Sequence, residues 1–179
     1  MRDSKLYSLM LQKIGPVSRV LDVGCGEGKF ALLLARKTKK KIVGLDISEL
    51  GFYKAKKEAS KEGVGHLITC IKCNVYHIEK CVRSDRFEAV TMTYTLHHLK
   101  KPTAALSEIR KILSLKGRIL IVECVLDGVE EKGRCNKFTI LGIQRMLKKA
   151  KYRLLTMEEL ENGLALFEAE NLAAEDMRA

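Results

Sequence analysis

One strand–loop–helix–strand unit near the start of the chain limits the possible folds more than any other feature of the sequence. Val20 to Val23 predicts a short buried strand, which a glycine-rich turn follows directly. The apolar run from Phe30 to Lys37 predicts a helix, and Lys41 to Leu45 predicts a second strand. This order of elements is typical of parallel α/β folds that bind nucleotides next to the glycine turn.

The turn and the two carboxylates beside it indicate what kind of ligand binds there. Gly24, Gly26 and Gly28 lack a Cβ, so their backbone N–H groups can approach a ligand closely. Asp46 follows the second strand, where a carboxylate can accept two hydrogen bonds from a ribose diol. The spacing G-x-G-x-G departs from the dinucleotide pattern G-x-G-x-x-G, and Asp22 precedes the first glycine. These differences favour a nucleoside without a pyrophosphate and with a cationic, amino-acid-like end.

The D-x-G-x-G-x-G pattern, the following helix and Asp46 together resemble motif I of the class I S-adenosylmethionine-dependent methyltransferases. The resemblance implies that S-adenosylmethionine is the cofactor, that S-adenosylhomocysteine is the product, and that Asp46 is the acid that binds the ribose. Ile47 is then the apolar residue that packs on the adenine face. The residues of this unit that the resemblance assigns to the cofactor are Asp22, Gly24, Cys25, Gly26, Gly28, Asp46 and Ile47.

Two later segments should reach the same edge of the sheet. Leu67 to Cys73 predicts a third strand, and it leads into Asn74-Val75, where the resembling family usually has an acid that accepts from the adenine amino group. Asn74 departs from that pattern, but its side-chain oxygen can still accept one hydrogen bond. Phe87 to Thr93 predicts a fourth strand that ends at Tyr94, which should lie beside the transferred methyl group.

The second half of the chain extends the resemblance. The run FEAVTMTYTLHHLKKPTAALSEIRKILSLKGRILIVE, residues 87–123, is similar to the small-molecule branch of the family, which includes quinone-biosynthesis enzymes. It predicts a helix over Pro102 to Leu113, a turn at Ser114 to Gly117 and a fifth strand from Arg118 to Cys124. The resemblance implies a Rossmann-like, doubly wound α/β sheet of seven strands. It should be mostly parallel, with an antiparallel C-terminal hairpin and the strand order 3-2-1-4-5-7-6.

The hairpin and the boundaries follow from turn residues and composition. Tyr152 to Leu160 and Leu164 to Glu170 predict two strands, joined through the hairpin signal Asn162-Gly163. We expect one methyltransferase domain over residues 1–171, with residues 1–15 forming a helix over the cofactor edge. Ser48 is the predicted N-cap of a helix from Leu50 to Lys61. Residues 126–137 are expected to form a mobile loop and residues 172–179 a flexible tail.

His97 and His98 are the candidate catalytic residues. They follow the fourth strand, and histidine can take a proton from a nucleophile near neutral pH. The alternative is that one histidine caps the following turn and the other packs. Glu123, at the end of the fifth strand, could orient a polar acceptor or be solvated. Residues 93–96 lack the Asn/Asp-Pro-Pro-aromatic motif of amino-directed nucleic-acid methyltransferases, which disfavours that chemistry.

Charge and hydropathy bear on partners and location. The net charge of +11 could indicate an RNA partner, but the Lys and Arg residues are spread over most predicted helices, as on an ordinary solvated surface. There is no apolar run long enough to span a bilayer, and the N-terminal segment has no signal-peptide pattern. We therefore expect a cytoplasmic protein that has no membrane partner and is a monomer or a homodimer.

The six cysteines are expected to be reduced thiols in the cytoplasm. Cys70 and Cys73 form a C-x-x-C, but positions i and i+3 of a strand point to opposite faces, so we predict no metal site there. Small buried hydrophobes are the simpler interpretation. A minor alternative places Cys73, Cys124 and Cys135 together as ligands of a soft metalloid acceptor such as arsenite.

The leading hypothesis is methyl transfer from S-adenosylmethionine to a small-molecule acceptor. One alternative is an RNA or protein acceptor, motivated by the positive charge. Another is a non-catalytic subunit that binds the cofactor or a partner, because an intact cofactor motif does not by itself establish turnover.

Overall fold

The computed structural model of the protein describes residues 2–82, 86–125 and 138–172. The predicted loop at 126–137, with Cys135, and the predicted tail beyond Leu172 lie outside these residues. The helices are α1 Arg2–Ile14, α2 Lys29–Thr38, α3 Phe52–Lys61, α4 Ile78–Val82, α5 Pro102–Ile112 and α6 Ile140–Lys149. The strands are β1 Arg19–Val23, β2 Lys41–Asp46, β3 Ile68–Lys72, β4 Phe87–Thr93, β5 Leu113–Cys124, β6 Tyr152–Leu160 and β7 Leu164–Asn171.

The seven strands form one sheet in the order β3-β2-β1-β4-β5-β7-β6, which confirms the predicted topology. The first five strands in this order are parallel, and β7 pairs antiparallel with both β5 and β6. Residues 161–163 connect the paired Leu160 and Leu164, and Asn162 and Gly163 in this connection both have positive φ, 64° and 68°. The carboxyl ends of the parallel strands therefore meet at one edge, where the loops after β1, β2, β3 and β4 converge.

Both faces of the sheet are covered by helices. Strand residues alternate between the faces, so Val20 packs with α1 and α2, whereas Leu21 packs with α5 and α6. From α1, Leu6, Met10 and Ile14 are buried on the first face. Since both faces are buried, the strands contain continuous apolar runs, such as Ile119 to Val122 in β5.

The structure differs from the predicted elements in three places. Helix α3 begins at Phe52 after Gly51, because Ser48 is held in a turn that points back to Asp46 rather than forming the N-cap. The predicted turn at Ser114 to Gly117 is an irregularity within β5, where Lys116 has φ +58°. The segment after β3, for which the sequence pattern predicted no element, forms a 3-10 turn, Val75–His77, and the short helix α4.

None of the helices in the described residues is long and apolar enough to cross a membrane.

Candidate cofactor and active site

The glycine loop after β1 is fixed to the neighbouring strands by its backbone. Gly24 and Cys25 both donate their N–H groups to the carbonyl of Leu45 at the end of β2, at 2.7 and 3.1 Å. Gly24 has φ +74°, and a Cβ at this position would lie 2.3 Å from Oγ1 of Thr95. Only glycine fits there, because both the backbone conformation and the space exclude a side chain.

Asp22 is a buried carboxylate that lines a cavity. Its side chain is 3% exposed, and the hydroxyl of Thr91 on β4 donates to its Oδ1 at 2.8 Å. Burial, with a smaller contribution from the nearby Asp46 carboxylate, raises the pKa of Asp22 to about 7, although the Thr91 hydrogen bond opposes this change. A buried carboxyl group of this kind favours a cationic group of a ligand as its partner.

The cavity beside Asp22 has a volume of about 280 Å³. Tyr7 of α1 forms part of its wall, and its ring lies 5.0 Å from that of Phe30 at the start of α2. The N-terminal helix therefore contacts this edge directly. The cavity is lined by Tyr7, Asp22, Gly24, Cys25, Glu27, Lys29, Phe30, Thr93 and Tyr94.

A larger cavity of about 620 Å³ lies beyond the ends of β2, β3 and β4. Gly24 and Tyr94 line both cavities, so the two adjoin at these residues. Tyr94 has φ +53°, which is unusual for a bulky residue, and its N–H donates to the carbonyl of Val122 at 2.9 Å. The larger cavity is lined by Val23, Gly24, Leu45, Asp46, Ile47, Cys73, Asn74, Val75, Tyr76, Tyr94, Thr95, His98, Leu99 and Lys100.

Asp46 joins the glycine loop to the end of β2. Its Oδ2 accepts from the N–H of Gly26 and its Oδ1 from that of Ser48, each at 2.9 Å. Each carboxylate oxygen has a second lone pair, so Asp46 can still accept hydrogen bonds from a ligand diol. Ile47, the next residue, is 68% exposed and lines the cavity, as a residue that packs on a planar base would.

Asn74 and Val75 lie in the segment after β3, which ends at Lys72. Oδ1 of Asn74 accepts from the N–H of Tyr76 at 3.1 Å and so caps the 3-10 turn, which leaves one lone pair for a ligand. The Tyr76 hydroxyl accepts from the N–H of Lys101 at 2.9 Å and ties this segment to the start of α5. The segment is therefore held both by its own cap and by a contact with the start of α5.

The prediction that all cysteines are free thiols is wrong for Cys73 and Cys81, which form a disulfide. The helical turn after β3 brings their Cα atoms to 6.2 Å, a separation suited to a disulfide. The sequence reasoning missed the pair because it did not assign this turn. Cys25 and Cys70 are free thiols in the part of the chain that the structure describes. The arsenite alternative loses Cys73 as a ligand.

The two candidate histidines occupy different environments. His97 lies against Glu123, with 2.6 Å between its Nδ1 and the Oε1 of Glu123, and Glu123 is fully buried. Glu123 is thus a partner of His97, not the solvated group that was one of the two expectations. His98 is exposed, lines the larger cavity, and has its Nε2 3.0 Å from the Nε2 of His97.

The structure brings nearly all of the predicted cofactor residues to one edge. Asp22, Gly24 and Cys25 line the smaller cavity, and Asp46, Ile47, Asn74, Val75 and Tyr94 line the larger one. Gly26 and Gly28 shape the loop without lining either cavity. The sequence analysis missed Thr91 and Thr95. The available signal for them was the occurrence of polar residues in β4, which is largely apolar, and in the segment that follows it.

A methyltransferase-domain family model matches residues 15–169. Among named relatives, the sterol 24-C-methyltransferase of Yarrowia lipolytica is 29% identical over 167 residues, which cover 91% of this chain and 43% of that protein. The demethylmenaquinone methyltransferase of Bacteroides fragilis is 26% identical over 110 residues, 59% of this chain and 42% of that protein. The chain thus spans about two fifths of the length of these relatives.

The fold is shared with proteins of differing chemistry. The crystal structure of the [4+2]-cyclase SpnF superposes with a TM-score of 0.84 at 17% identity, covering 95% of this chain and 82% of that one. This likeness concerns the fold alone, whereas the family match extends over most of the sequence, including the glycine loop and Asp46. On that match the chain belongs to the class I S-adenosylmethionine-dependent methyltransferases.

Proposed function

We propose that this chain binds S-adenosylmethionine along its glycine loop and transfers the methyl group to a small-molecule acceptor. The observation that carries the proposal is the placement of Asp22 and Asp46 on either side of one glycine loop, each lining one of two adjoining cavities. A ligand with an ammonium group at one end and a ribose diol further along matches that separation of carboxylates. A dinucleotide would place its pyrophosphate where Asp22 lies.

The chain's residues have distinct roles in this proposal. Asp22 binds the ammonium group of the methionine end, and Asp46 accepts from the ribose hydroxyls. Ile47 and Val75 pack against the adenine, and the free lone pair of Asn74 Oδ1 accepts from its amino group. The backbone of the glycine loop, including Cys25, and the side chain of Tyr94 enclose the sulfonium. The ligand supplies an electrophilic methyl group, and the protein supplies position and exclusion of water.

A small acceptor is favoured by the shape of the larger cavity. Its volume of about 620 Å³ is within the usual range for clefts and cavities that bind small molecules, and it extends past the nucleoside positions to His98, Leu99 and Lys100. The apolar Leu99 and the cationic Lys100 would suit an organic acceptor with an acidic or polar group. The names of two relatives, a sterol 24-C-methyltransferase and a demethylmenaquinone methyltransferase, likewise refer to small organic molecules.

The cofactor site is tested by calorimetric titration of S-adenosylmethionine and S-adenosylhomocysteine, with NADH as the comparator. We expect the first two to bind and NADH not to bind. Asp46→Ala should weaken S-adenosylhomocysteine at least tenfold, because two hydrogen bonds to a charged group are lost. Glu49→Ala is the matched control, because Glu49 is an exposed carboxylate three residues after Asp46. Its Oε1 lies 3.8 Å from the Nζ of Lys72. Equal affinities for the two variants would contradict the assignment of Asp46.

The acceptor is then sought by screening compounds with a methyl-labelled cofactor. Small phenols, enols and amines are screened first, and RNA second. Transfer of label to any small molecule that depends on Asp46 would support the proposal. Binding of the cofactor without transfer to any acceptor, even with co-purifying proteins present, would favour the non-catalytic alternative.

An RNA acceptor is the second candidate because the basic residues, although spread over most helices, exceed the acidic residues most strongly in one region. Residues 27–72 carry eleven Lys and Arg against five Asp and Glu, about a quarter of the chain with more than half of its net charge. Most of these cations are exposed on α2, α3 and the start of β2. The run from Lys37 to Lys41, however, lies at the amino ends of the strands, at the opposite edge from the cavities.

Binding of a labelled oligouridylate at 50 and 200 mM NaCl tests this candidate. If the run is a contact surface, replacing Lys37, Lys39, Lys40 and Lys41 by Gln should reduce the slope of log K against log salt by roughly 3. Replacing four exposed lysines elsewhere, Lys116, Lys148, Lys149 and Lys151, is the control. A salt-independent affinity, or equal effects of the two sets, would count against an RNA acceptor.

A further inference from the structure

Three side chains form a hydrogen-bonded series that leads from the core to the larger cavity. Glu123 lies at the end of β5 and is fully buried, whereas His97 and His98 belong to the 3-10 turn after β4. The contacts run from Oε1 of Glu123 to Nδ1 of His97 at 2.6 Å, and from Nε2 of His97 to Nε2 of His98 at 3.0 Å. Of these three residues, His98 is the one that lines the cavity.

The contacts of Glu123 fix the direction of the series. Its Oε1 accepts from the N–H of Cys124 at 3.0 Å, and its Oε2 from the N–H of His97 at 3.2 Å. Both carboxylate oxygens therefore already act as acceptors, and the Nδ1 of His97 is placed to donate a third hydrogen bond. A neutral imidazole carries one proton, so the Nε2 of His97 is then the acceptor.

His98 is the last member of the series. Because the two Nε2 atoms are 3.0 Å apart and that of His97 has no proton, the Nε2 of His98 must donate. The Nδ1 of His98 is then left with a lone pair and no proton. The series thus distinguishes two histidines that are equivalent in the sequence: one is a potential base at the cavity, and the other orients it.

We propose that Nδ1 of His98 is the general base of the reaction, and that His97 and Glu123 are positioning residues behind it. This inference rests on the proposed methyl transfer and deepens it. In the step, the acceptor oxygen forms a bond to the methyl carbon, and the carbon–sulfur bond breaks with its electron pair going to sulfur. The acceptor's proton moves to Nδ1 of His98, while the Nε2 proton of His98 can pass to His97, whose positive charge then lies beside the Glu123 carboxylate.

This arrangement selects a class of acceptor. A base is useful only if the nucleophile must lose a proton, and a neutral thioether or tertiary amine has none to lose. A hydroxyl group gains most, because it is a weak nucleophile until its proton leaves, whereas an amine attacks through its lone pair first. The acceptor is therefore a hydroxyl compound, with a phenol or an enol as the most suitable form.

The proton positions can be measured without knowing the acceptor. The chain has four histidines, His66, His77, His97 and His98, so nitrogen-15 spectra of histidine-labelled protein can be assigned with single His→Asn variants. In the S-adenosylhomocysteine complex at pH 8.5, we expect the proton of His97 on Nδ1 and that of His98 on Nε2. The reverse tautomers would overturn the proposed direction.

Glu123→Gln tests the positioning role, since it keeps the shape and removes the carboxylate. The Nδ1 tautomer of His97 should lose its preference, and unchanged tautomers would overturn the role of Glu123. If the buried substitution prevents folding, His97→Asn tests the same series. In that variant Nε2 of His98 loses its acceptor, so the Nε2 tautomer of His98 should lose its preference. Binding of S-adenosylhomocysteine in the same samples separates a failure of this inference from a failure of the cofactor site.

Kinetics with the acceptor found in the labelled screen complete the test. His98→Asn should lower kcat by about 10²- to 10⁴-fold while the KM for S-adenosylmethionine changes less than about threefold. Glu123→Gln should lower kcat by about 10- to 100-fold, and His66→Asn, at an exposed position, should leave it unchanged. Wild-type kcat in His98→Asn would overturn the proposal, as would an acceptor whose methylated atom carries no proton.

Discussion

Replacing Asp22 by Asn is expected to stabilise the free protein at pH 8 by on the order of 3 kcal/mol while weakening its affinity for S-adenosylhomocysteine at least tenfold. The stability gain arises because the ionised carboxylate is buried, 3% exposed, with the Thr91 hydroxyl as its hydrogen-bond donor. Asn keeps the acceptor for that hydroxyl but carries no charge. The affinity loss arises because the variant can no longer pair with the ligand's ammonium group.

The sign of the pH dependence follows from the pKa of Asp22, which burial raises from 3.8 to about 7. Below pH 3.8 the carboxyl is protonated in both the folded and the unfolded protein, so it has no effect on the free energy of unfolding. Between pH 3.8 and about 7 the unfolded chain loses a proton that the folded protein retains, so stability falls as the pH rises. Above pH 7 the carboxyl is ionised in both states, and the free energy of unfolding falls no further. The wild type and Asp22→Asn should therefore be similar in stability near pH 4 and differ most near pH 8.

The affinity for the ligand, unlike the stability, should rise as the pH rises. If the ammonium group pairs with ionised Asp22, the free protein must release a proton on binding below pH 7. The affinity for S-adenosylhomocysteine should then fall roughly 100-fold between pH 7.5 and pH 5 in the wild type. In Asp22→Asn the affinity should be low and nearly constant over this range.

Denaturant unfolding at pH 4.5 and pH 8 measures the difference in stability between the wild type and Asp22→Asn. Calorimetric titration in buffers of different ionisation enthalpy measures the proton release on binding. Glu49→Gln is the control, because it removes the same charge from an exposed position. A wild-type affinity that does not change with pH would show that Asp22 does not pair with the ligand. A variant less stable than the wild type at pH 8 would show that burying the charge costs less than the contacts of the carboxylate contribute.

Gly51→Ala is expected to lower the free energy of unfolding by roughly 2–4 kcal/mol and to weaken S-adenosylhomocysteine at least tenfold. Gly51 precedes α3 with φ −83°, a conformation that alanine adopts without strain. A Cβ there would nevertheless lie 2.2 Å from the carbonyl oxygen of Gly26 and 2.7 Å from the nitrogen of Glu27. The obstacle is backbone, so the glycine loop itself must move.

Movement of the loop should affect the ligand because Gly26 donates its N–H to Asp46 at 2.9 Å. A displaced loop would change the orientation of the carboxylate that we assign to the ribose. Denaturant unfolding and calorimetry of the purified variant measure both effects.

Gly142→Ala is the matched control for this substitution. Its Cβ would meet only the Thr139 Oγ1, at 3.1 Å, in the first turn of α6, so we expect a change within about 1 kcal/mol and no change in affinity. Wild-type affinity in Gly51→Ala would contradict the inferred dependence of the site on close contact between the two loops.

Gly51 illustrates what the sequence did not reveal. The three glycines of the loop were predicted because they form a recognisable pattern after a strand. Gly51 belongs to no pattern, and its importance depends on contact with Gly26, 25 residues earlier in the chain. The same holds for Thr91, whose contact with Asp22 spans 69 residues.

The start of α3 was misplaced because of a contact that the residue type did not indicate. Ser48 has the residue type of an N-cap, but its N–H is bound to Asp46, so the helix begins only after Gly51. The contact spans only two residues, so one local interaction replaced another at the ligand site. The Cys73–Cys81 disulfide likewise depended on a helical turn that the local pattern did not indicate.

The sequence by itself determined the family and the residues around the glycine loop, because these depend on spacing within short stretches of chain, and the resemblance to that family then implied the strand order. The tertiary structure alone decided which groups act together: Asp22 with Thr91, Gly51 with the loop, and Glu123 with His97. The pKa of Asp22 and the different environments of the two adjacent histidines arise from burial and from partners distant in sequence. Such properties are set by three-dimensional contact, which residue type and order do not specify locally.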